Sequence, residues 1–157
     1  LEEHGIATIG VDVVAALVDQ ARRAGRGDYR VASYEQIAAG NLSVKVDAVV
    51  ANFSLIGKES VEGVVGRAPA LLNTGGSLLI QTLHPVTSCG DAAYEDGWRH
   101  GSWAGFSDDF SDPAPWYFRT IGSWEELLTS NGFQIVEKRE PLHPNTGKPA
   151  SLILIAQ

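Results

Sequence analysis

The apolar positions of this chain form short unbroken runs that stop on a polar residue, alternating with stretches in which apolar residues return every three or four positions. The first kind predicts strands covered on both faces and the second amphipathic helices, which together make an α/β protein with a mostly parallel sheet. Asp47 to Ile56 (DAVVANFSLI) is the clearest run, a strand over 48–52 that ends in Asn52 and Phe53. Ile6 to Asp12 (IATIGVD) runs apolar into a carboxylate, and Ser77 to Pro85 (SLLIQTLHP) runs apolar into His84. Ligands of such sheets bind at the carboxyl ends of the strands, so three strand ends aim polar groups at one edge.

Between these runs, Val14, Leu17, Val18 and Ala21 mark one face of a crossover helix that Gly25 stops. A short strand over 29–32 and a weak helix over 34–39 follow. Val61, Val64, Val65, Ala68 and Leu72 mark a second helical face, in which Pro69 predicts a kink or a new turn, and Asn73 to Gly76 predicts the end. Val86 to Thr120, rich in Gly, Asp and aromatic residues, reads as an inserted lid. Ser123 with Glu126 has the form of a capping box, which predicts a helix over 124–130. Two β-like runs over 133–138 and 151–156 are joined by PLHPNTGKP, as in an antiparallel hairpin.

With 157 residues the chain fits a single domain. A net charge of -7 disfavours nucleic acid, whose phosphates need a basic face. No run is long and apolar enough for a membrane span, and there is no basic-then-apolar leader, so a cytoplasmic setting is expected. Cys89 is the single cysteine and no Cys/His cluster has zinc spacing, so no metal is expected.

The order of IGVD at 9–12, VASYEQIA at 31–38, DAVVANFSLI at 47–56, LLNTGGSLLIQTLHP at 71–85, WYFRTIGSWEELLTSNGF at 116–133 and the terminal LILIA resembles a class I S-adenosylmethionine-dependent methyltransferase of the small-molecule type. The resemblance implies a Rossmann-like sheet with helices on both faces and an antiparallel C-terminal strand pair. It also implies S-adenosylmethionine as cofactor and S-adenosylhomocysteine as product. The family's glycine-rich loop lies on a strand before IGVD and is not found here, while LEEHG reads as the end of its preceding helix. The expectation is a domain without its first strand and helix, open at the strand edges beside that gap.

Under the resemblance, Asp12 holds the ribose hydroxyls, with a helix N-cap as its structural alternative. Val13 covers an adenine face or is plain core. Ser33 stands where the family often has an acid, leaving Tyr34 and nearby backbone for adenine. Asn52 and Phe53 wall the methionine end, or serve as a strand-end cap and a core aromatic. His84 is the candidate general base, or a histidine hydrogen-bonded at a turn. In the lid, Trp98, Trp103, Trp116 and Tyr117 are candidate substrate walls. Arg119 either pairs with a substrate carboxylate or anchors the lid to Glu125 or Glu126.

Asn52 is not followed by the Pro-Pro-aromatic run of base amine methylases, and Cys89 follows Ser88 rather than the proline of cytosine C5 enzymes. The expected partner is therefore a small-molecule nucleophile, with self-association through the lid or the open strand edges as a further expectation. The alternatives are a degenerate, non-catalytic scaffold of the same fold and a short-chain dehydrogenase. The dehydrogenase needs a Tyr four residues before a Lys, which none of Tyr29, Tyr34, Tyr94 or Tyr117 provides.

Overall fold

The computed structural model describes residues 2–101 and 112–157. Trp103 and the lid residues Phe106, Asp108, Asp109 and Phe110 fall outside the described residues. The chain forms two compact units, Leu1–Ser43 and Val44–Gln157.

The first unit holds a short 3-10 turn Glu2–His4, strand β1 Ile9–Asp12, helix α1 Ala15–Ala24, strand β2 Asp28–Val31 and helix α2 Tyr34–Ala38. β1 and β2 are parallel, with Ile9 opposite Asp28 and Asp12 opposite Val31. Parallel neighbours need a crossover, and α1 supplies it. Arg22 at its end donates from Nε (3.0 Å) and NH2 (2.7 Å) to the Tyr29 carbonyl, tying the last helical turn to β2. Gly10 has a packing reason: a Cβ there would lie 2.6 Å from Cδ1 of Tyr29, whose ring lies across β1. The predicted apolar face of α1 is only partly used. Val18 is buried, whereas Val14 and Leu17 are exposed, because two strands are too narrow to cover a helical stripe. The first strand is also shorter than expected: β1 begins at Ile9, and before it the Thr8 carbonyl reaches β2, accepting the Asp28 N–H.

The second unit contains β3 Val46–Asn52, α3 Glu59–Leu71, β4 Leu72–Leu83, α4 Pro85–Ser88, β5 Gly97–Arg99, β6 Trp116–Phe118, α5 Ile121–Ser130, β7 Ile135–Arg139 and β8 Ser151–Ala156. Its main sheet runs β3-β4-β8-β7, with β3 and β4 parallel. β8 is antiparallel to both β4 and β7, as the hairpin-like link predicted. One sheet face is the core. Ala51 sits beside Ile80, Ile80 beside Leu154 and Leu78 beside Ala156, all buried. Val61, Val65 and Ala68 of α3 and Trp124 and Leu128 of α5 are buried with them.

α3 runs through Pro69, which lies in its last turn, two residues before the helix ends at Leu71. Two expectations are corrected in this unit. Asn73 to Gly76 is not a separate loop but part of a twelve-residue β4. The pairing slips there, with Val46 opposite Leu72 but Ala48 opposite Ser77, and Gly75 takes φ 78° at the irregularity. α5 starts one turn before the predicted capping box. Thr120 is its N-cap, accepting the Ser123 N–H at 3.1 Å, while the Ser123 hydroxyl donates to Asp96. The described part of the predicted lid is also more regular than expected, with α4 and the antiparallel β5–β6 pair.

Candidate active site

In the first unit the chemistry gathers after β1 and β2. Asp12 is exposed at the end of β1, and its Oδ1 accepts the Val14 N–H at 2.7 Å, a turn that leads into α1. One carboxylate oxygen is therefore used locally, although the N-cap of α1 is Val14 and not Asp12. Val13 is exposed beside it rather than part of the core. After β2, Ser33 is the N-cap of α2 in a full capping box. Its hydroxyl accepts the Gln36 N–H (3.3 Å) and Gln36 Oε1 accepts the Ser33 N–H (2.9 Å). Tyr34, half-buried, is the first residue of α2. Glu35 follows it on the surface, its carboxyl held below the ordinary range by a hydrogen bond with the Ser33 side chain. An acid thus stands in the first turn of α2, two residues after Ser33. The signal was the Ser-Tyr-Glu-Gln order itself, which places an acid in the first helical turn.

In the second unit the end of β3 is the focus. Asn52 is its exposed last residue, in register with Gln81 of β4. Phe53 then turns to φ 50°, a left-handed conformation that costs an aromatic residue about 1–2 kcal/mol. Its N–H is still fastened to the Gln81 carbonyl (2.8 Å), while the residue remains 48% exposed. The Gln81 side chain turns away to donate to Ser151 Oγ of β8 at 3.0 Å. A strained, outward-facing aromatic at a strand end is the kind of backbone outlier that clusters at functional sites.

His84 is buried. Its Nε2 lies 2.9 Å from Glu140 Oε1. Its Nδ1 is enclosed without a partner among the described residues. With the carboxylate as acceptor, Nε2 donates. The backbone adds to the fastening: His84 N–H donates to the Ala150 carbonyl, and the His84 carbonyl accepts from Thr87 and Ser88. This is the turn-held histidine of the structural alternative, linking the end of β4 to the β7–β8 connection. Beside it a pocket of about 410 Å³ is lined by Val86, Thr87, Gly90, Asp91, Lys148 and Pro149. None of the candidate residues named from the sequence lines that pocket.

The β5–β6 pair carries the aromatic candidates. Trp98 and Tyr117 face each other across the ladder, with ring centroids 5.5 Å apart, and Trp98 is 55% exposed. Trp116 is half-buried and packs edge-on against Phe118, which is fully buried. Arg119 is buried rather than open to a substrate carboxylate. It donates to the carbonyls of Gly57 (2.8 Å) and Lys58 (3.1 Å) and lies 3.4 Å from Glu62. Burial pushes its pKa down and the Glu62 carboxylate opposes that shift. The anchoring alternative therefore holds, but with partners on the loop after β3 and on α3 instead of Glu125 or Glu126. Among the described residues no group of three or more His, Cys, Asp or Glu could hold a metal ion. No helix among them is long and apolar enough to cross a membrane.

The strand ends, the crossover helices and the antiparallel closing strand give this chain the Rossmann-like fold of class I S-adenosylmethionine-dependent methyltransferases. Solved structures that share it include the S-adenosylmethionine-dependent methyltransferase of Mesorhizobium loti, with a TM-score of 0.72 and 19% identity over 99% of this chain and 82% of that one. The 1,6-didemethyltoxoflavin N1-methyltransferase of Burkholderia thailandensis, solved with 1,6-didemethyltoxoflavin and S-adenosylhomocysteine, gives 0.68 and 18% over 99% of this chain and 62% of that one. The glycopeptide N-methyltransferase MtfA, solved with S-adenosylmethionine, gives 0.71 and 12% over 99% and 73%. No family model and no curated protein sequence matches the chain.

Proposed function

We propose that this chain is the catalytic fold of an S-adenosylmethionine-dependent methyltransferase acting on a small-molecule nucleophile. The observation that carries the reading is the likeness, over nearly the whole chain, to methyltransferases solved with S-adenosylmethionine or S-adenosylhomocysteine. The residues fit that cofactor. Asp12 offers a strand-end carboxylate oxygen to ribose hydroxyls, the bonding that dinucleotide folds use at the same place. Val13 lies exposed beside it, and Ser33, Tyr34 and Glu35 supply the polar turn after the next strand for adenine. Asn52 and the strained Phe53 are assigned to the methionine end.

Methyl transfer is an in-line displacement from a sulfonium that already carries a good leaving group. Orientation alone can therefore supply much of the rate. That suits a site in which His84 is enclosed and bonded to Glu140, so His84 is assigned to holding the end of β4 rather than to proton removal in this state. Trp98, Trp116 and Tyr117, with Trp103 from the sequence, are the proposed substrate walls. The -7 charge and the absence of base-methylase motifs support a small molecule over nucleic acid.

Calorimetric titration with S-adenosylhomocysteine tests the reading. Binding is expected, with Asp12→Ala weakening it by about 1–3 kcal/mol, the scale of a lost charged hydrogen bond. An affinity unchanged by Asp12→Ala would remove the ribose assignment, and displacement of bound cofactor by NAD would favour a dehydrogenase.

A further inference from the structure

The loop between β3 and α3 is held from two sides. At its start the Phe53 N–H is fixed to the Gln81 carbonyl. Further on, three successive carbonyls face β6 and the residue after it: Ile56 accepts the Tyr117 N–H at 2.7 Å, and Gly57 and Lys58 accept from the two terminal nitrogens of Arg119. Between these fastenings Leu55 is buried, while Phe53 and Ile56 are exposed.

Arg119 is an expensive fastener. Only 3% of it is exposed, and its nearest carboxylate, Glu62, is 3.4 Å away and itself partly open to solvent. Burying a charge under those conditions costs more than such a pair returns. What the guanidinium provides is shape: a planar fork that bridges two adjacent carbonyls, clamped between the rings of Tyr117 (4.8 Å) and Trp124 (5.1 Å). An apolar side chain would fill the space without setting where residues 56–58 lie.

We propose that Arg119 is a positioning residue, which fixes the β3–α3 loop so that Phe53 is presented in its left-handed conformation to the cofactor. The same residue links that loop to the β5–β6 aromatic pair, because Tyr117 both stacks on Arg119 and faces Trp98. The inference rests on the cofactor reading above for its functional half and on geometry alone for its structural half.

The test compares the wild-type chain, Arg119→Lys and Leu128→Ala. Lysine keeps the charge near Glu62 but cannot span two carbonyls. Leu128→Ala truncates a fully buried α5 side chain that makes none of the loop's hydrogen bonds. In the wild type, hydrogen exchange should be slow at the Phe53 N–H, bonded to Gln81, and at the Tyr117 N–H, bonded to Ile56. In Arg119→Lys it should quicken at these two amides and not through α3 and α5, and S-adenosylhomocysteine should bind roughly tenfold more weakly. Leu128→Ala, at a temperature where it stays folded, should bind as the wild type does. Fast exchange at the Phe53 and Tyr117 amides in the wild type overturns the structural half, whether or not any variant folds. So does exchange that spreads through α3 and α5 in Arg119→Lys. Wild-type affinity in Arg119→Lys overturns the functional half, and so does equal weakening in Leu128→Ala. A wild-type chain that does not bind S-adenosylhomocysteine instead defeats the cofactor reading, while the exchange data still decide the loop.

Discussion

The two units of this chain are built from the same kinds of element and differ in what they bury. In the first, Val18, Ile37 and Leu42 are the buried hydrophobic residues, and Ile6, Ile9, Val13, Val14, Leu17 and Val31 are exposed. In the second, buried residues from three strands and two helices form one layer, including Leu78, Ile80, Leu152 and Leu154. Two strands with short helices cannot enclose a core, whereas four strands with helices packed on one face can. The carboxylate proposed for ribose thus sits on the weaker unit, and the aromatic groups proposed for substrate sit on the stronger. Ligand sites are often drawn from the low-stability end of a protein, where binding can order what folding leaves loose.

Core truncation should separate the units most sharply. Leu152→Ala, at a fully buried β8 position, is expected to lower stability to urea by about 2–5 kcal/mol. Leu17→Ala, at a position 51% exposed, is expected to change it by less than about 0.5 kcal/mol. Comparable losses at both would mean that α1 buries its stripe after all. Gly10→Ala comes next. The added Cβ must displace the Tyr29 ring, a crowding that costs about 1–3 kcal/mol. A loss of near-ultraviolet tyrosine ellipticity should accompany it, and an unchanged spectrum with unchanged stability would remove Tyr29 from the packing of β1.

Phe53→Asn should show effects of opposite sign. Asparagine tolerates the left-handed backbone, so stability should rise by up to about 1 kcal/mol, while S-adenosylhomocysteine affinity should fall. A drop in both would make Phe53 an ordinary packing residue. The smallest effect is expected on β2. The hydrogen bond from Arg30 holds the Asp28 carboxyl below its ordinary pKa. Its contribution is therefore present above the unfolded-state pKa and is lost as pH falls through the lowered folded value. Arg30→Gln should return the Asp28 titration, followed by NMR, to the ordinary aspartate range. A titration that does not move would show that the pair is not formed in solution.

Much of the second unit was legible because its signals are local. The run Ala48 to Ala51 and the run Ser151 to Ala156 are strands, and the Pro- and Gly-bearing link makes them part of one sheet through β7. The errors came where tertiary context outweighs local preference. Gly75 and Gly76 look like a loop, yet the strand absorbs them as an irregularity against Val46 and Ala48. Ser123 looks like a cap, but Asp96, distant in sequence, takes its hydroxyl and Thr120 caps the helix. Arg119 was read against nearby acids, while its partners lie about sixty residues earlier, a separation no periodicity reveals. That Asp12, Asn52 and Phe53 stand at strand ends could be read directly, since where a strand stops is written in the chain. Whether a group there is free or engaged, as with His84 and Glu140, depends on the folded partner.

The most direct test of the central claim is hydrogen exchange measured with and without saturating S-adenosylhomocysteine. The account predicts slower exchange over residues 9–14, 33–36 and 52–58, with little change at Leu78–Ile80 and Leu152–Leu154, which are already protected in the core. Unchanged exchange at the three strand ends, or protection confined to residues outside them, would contradict it.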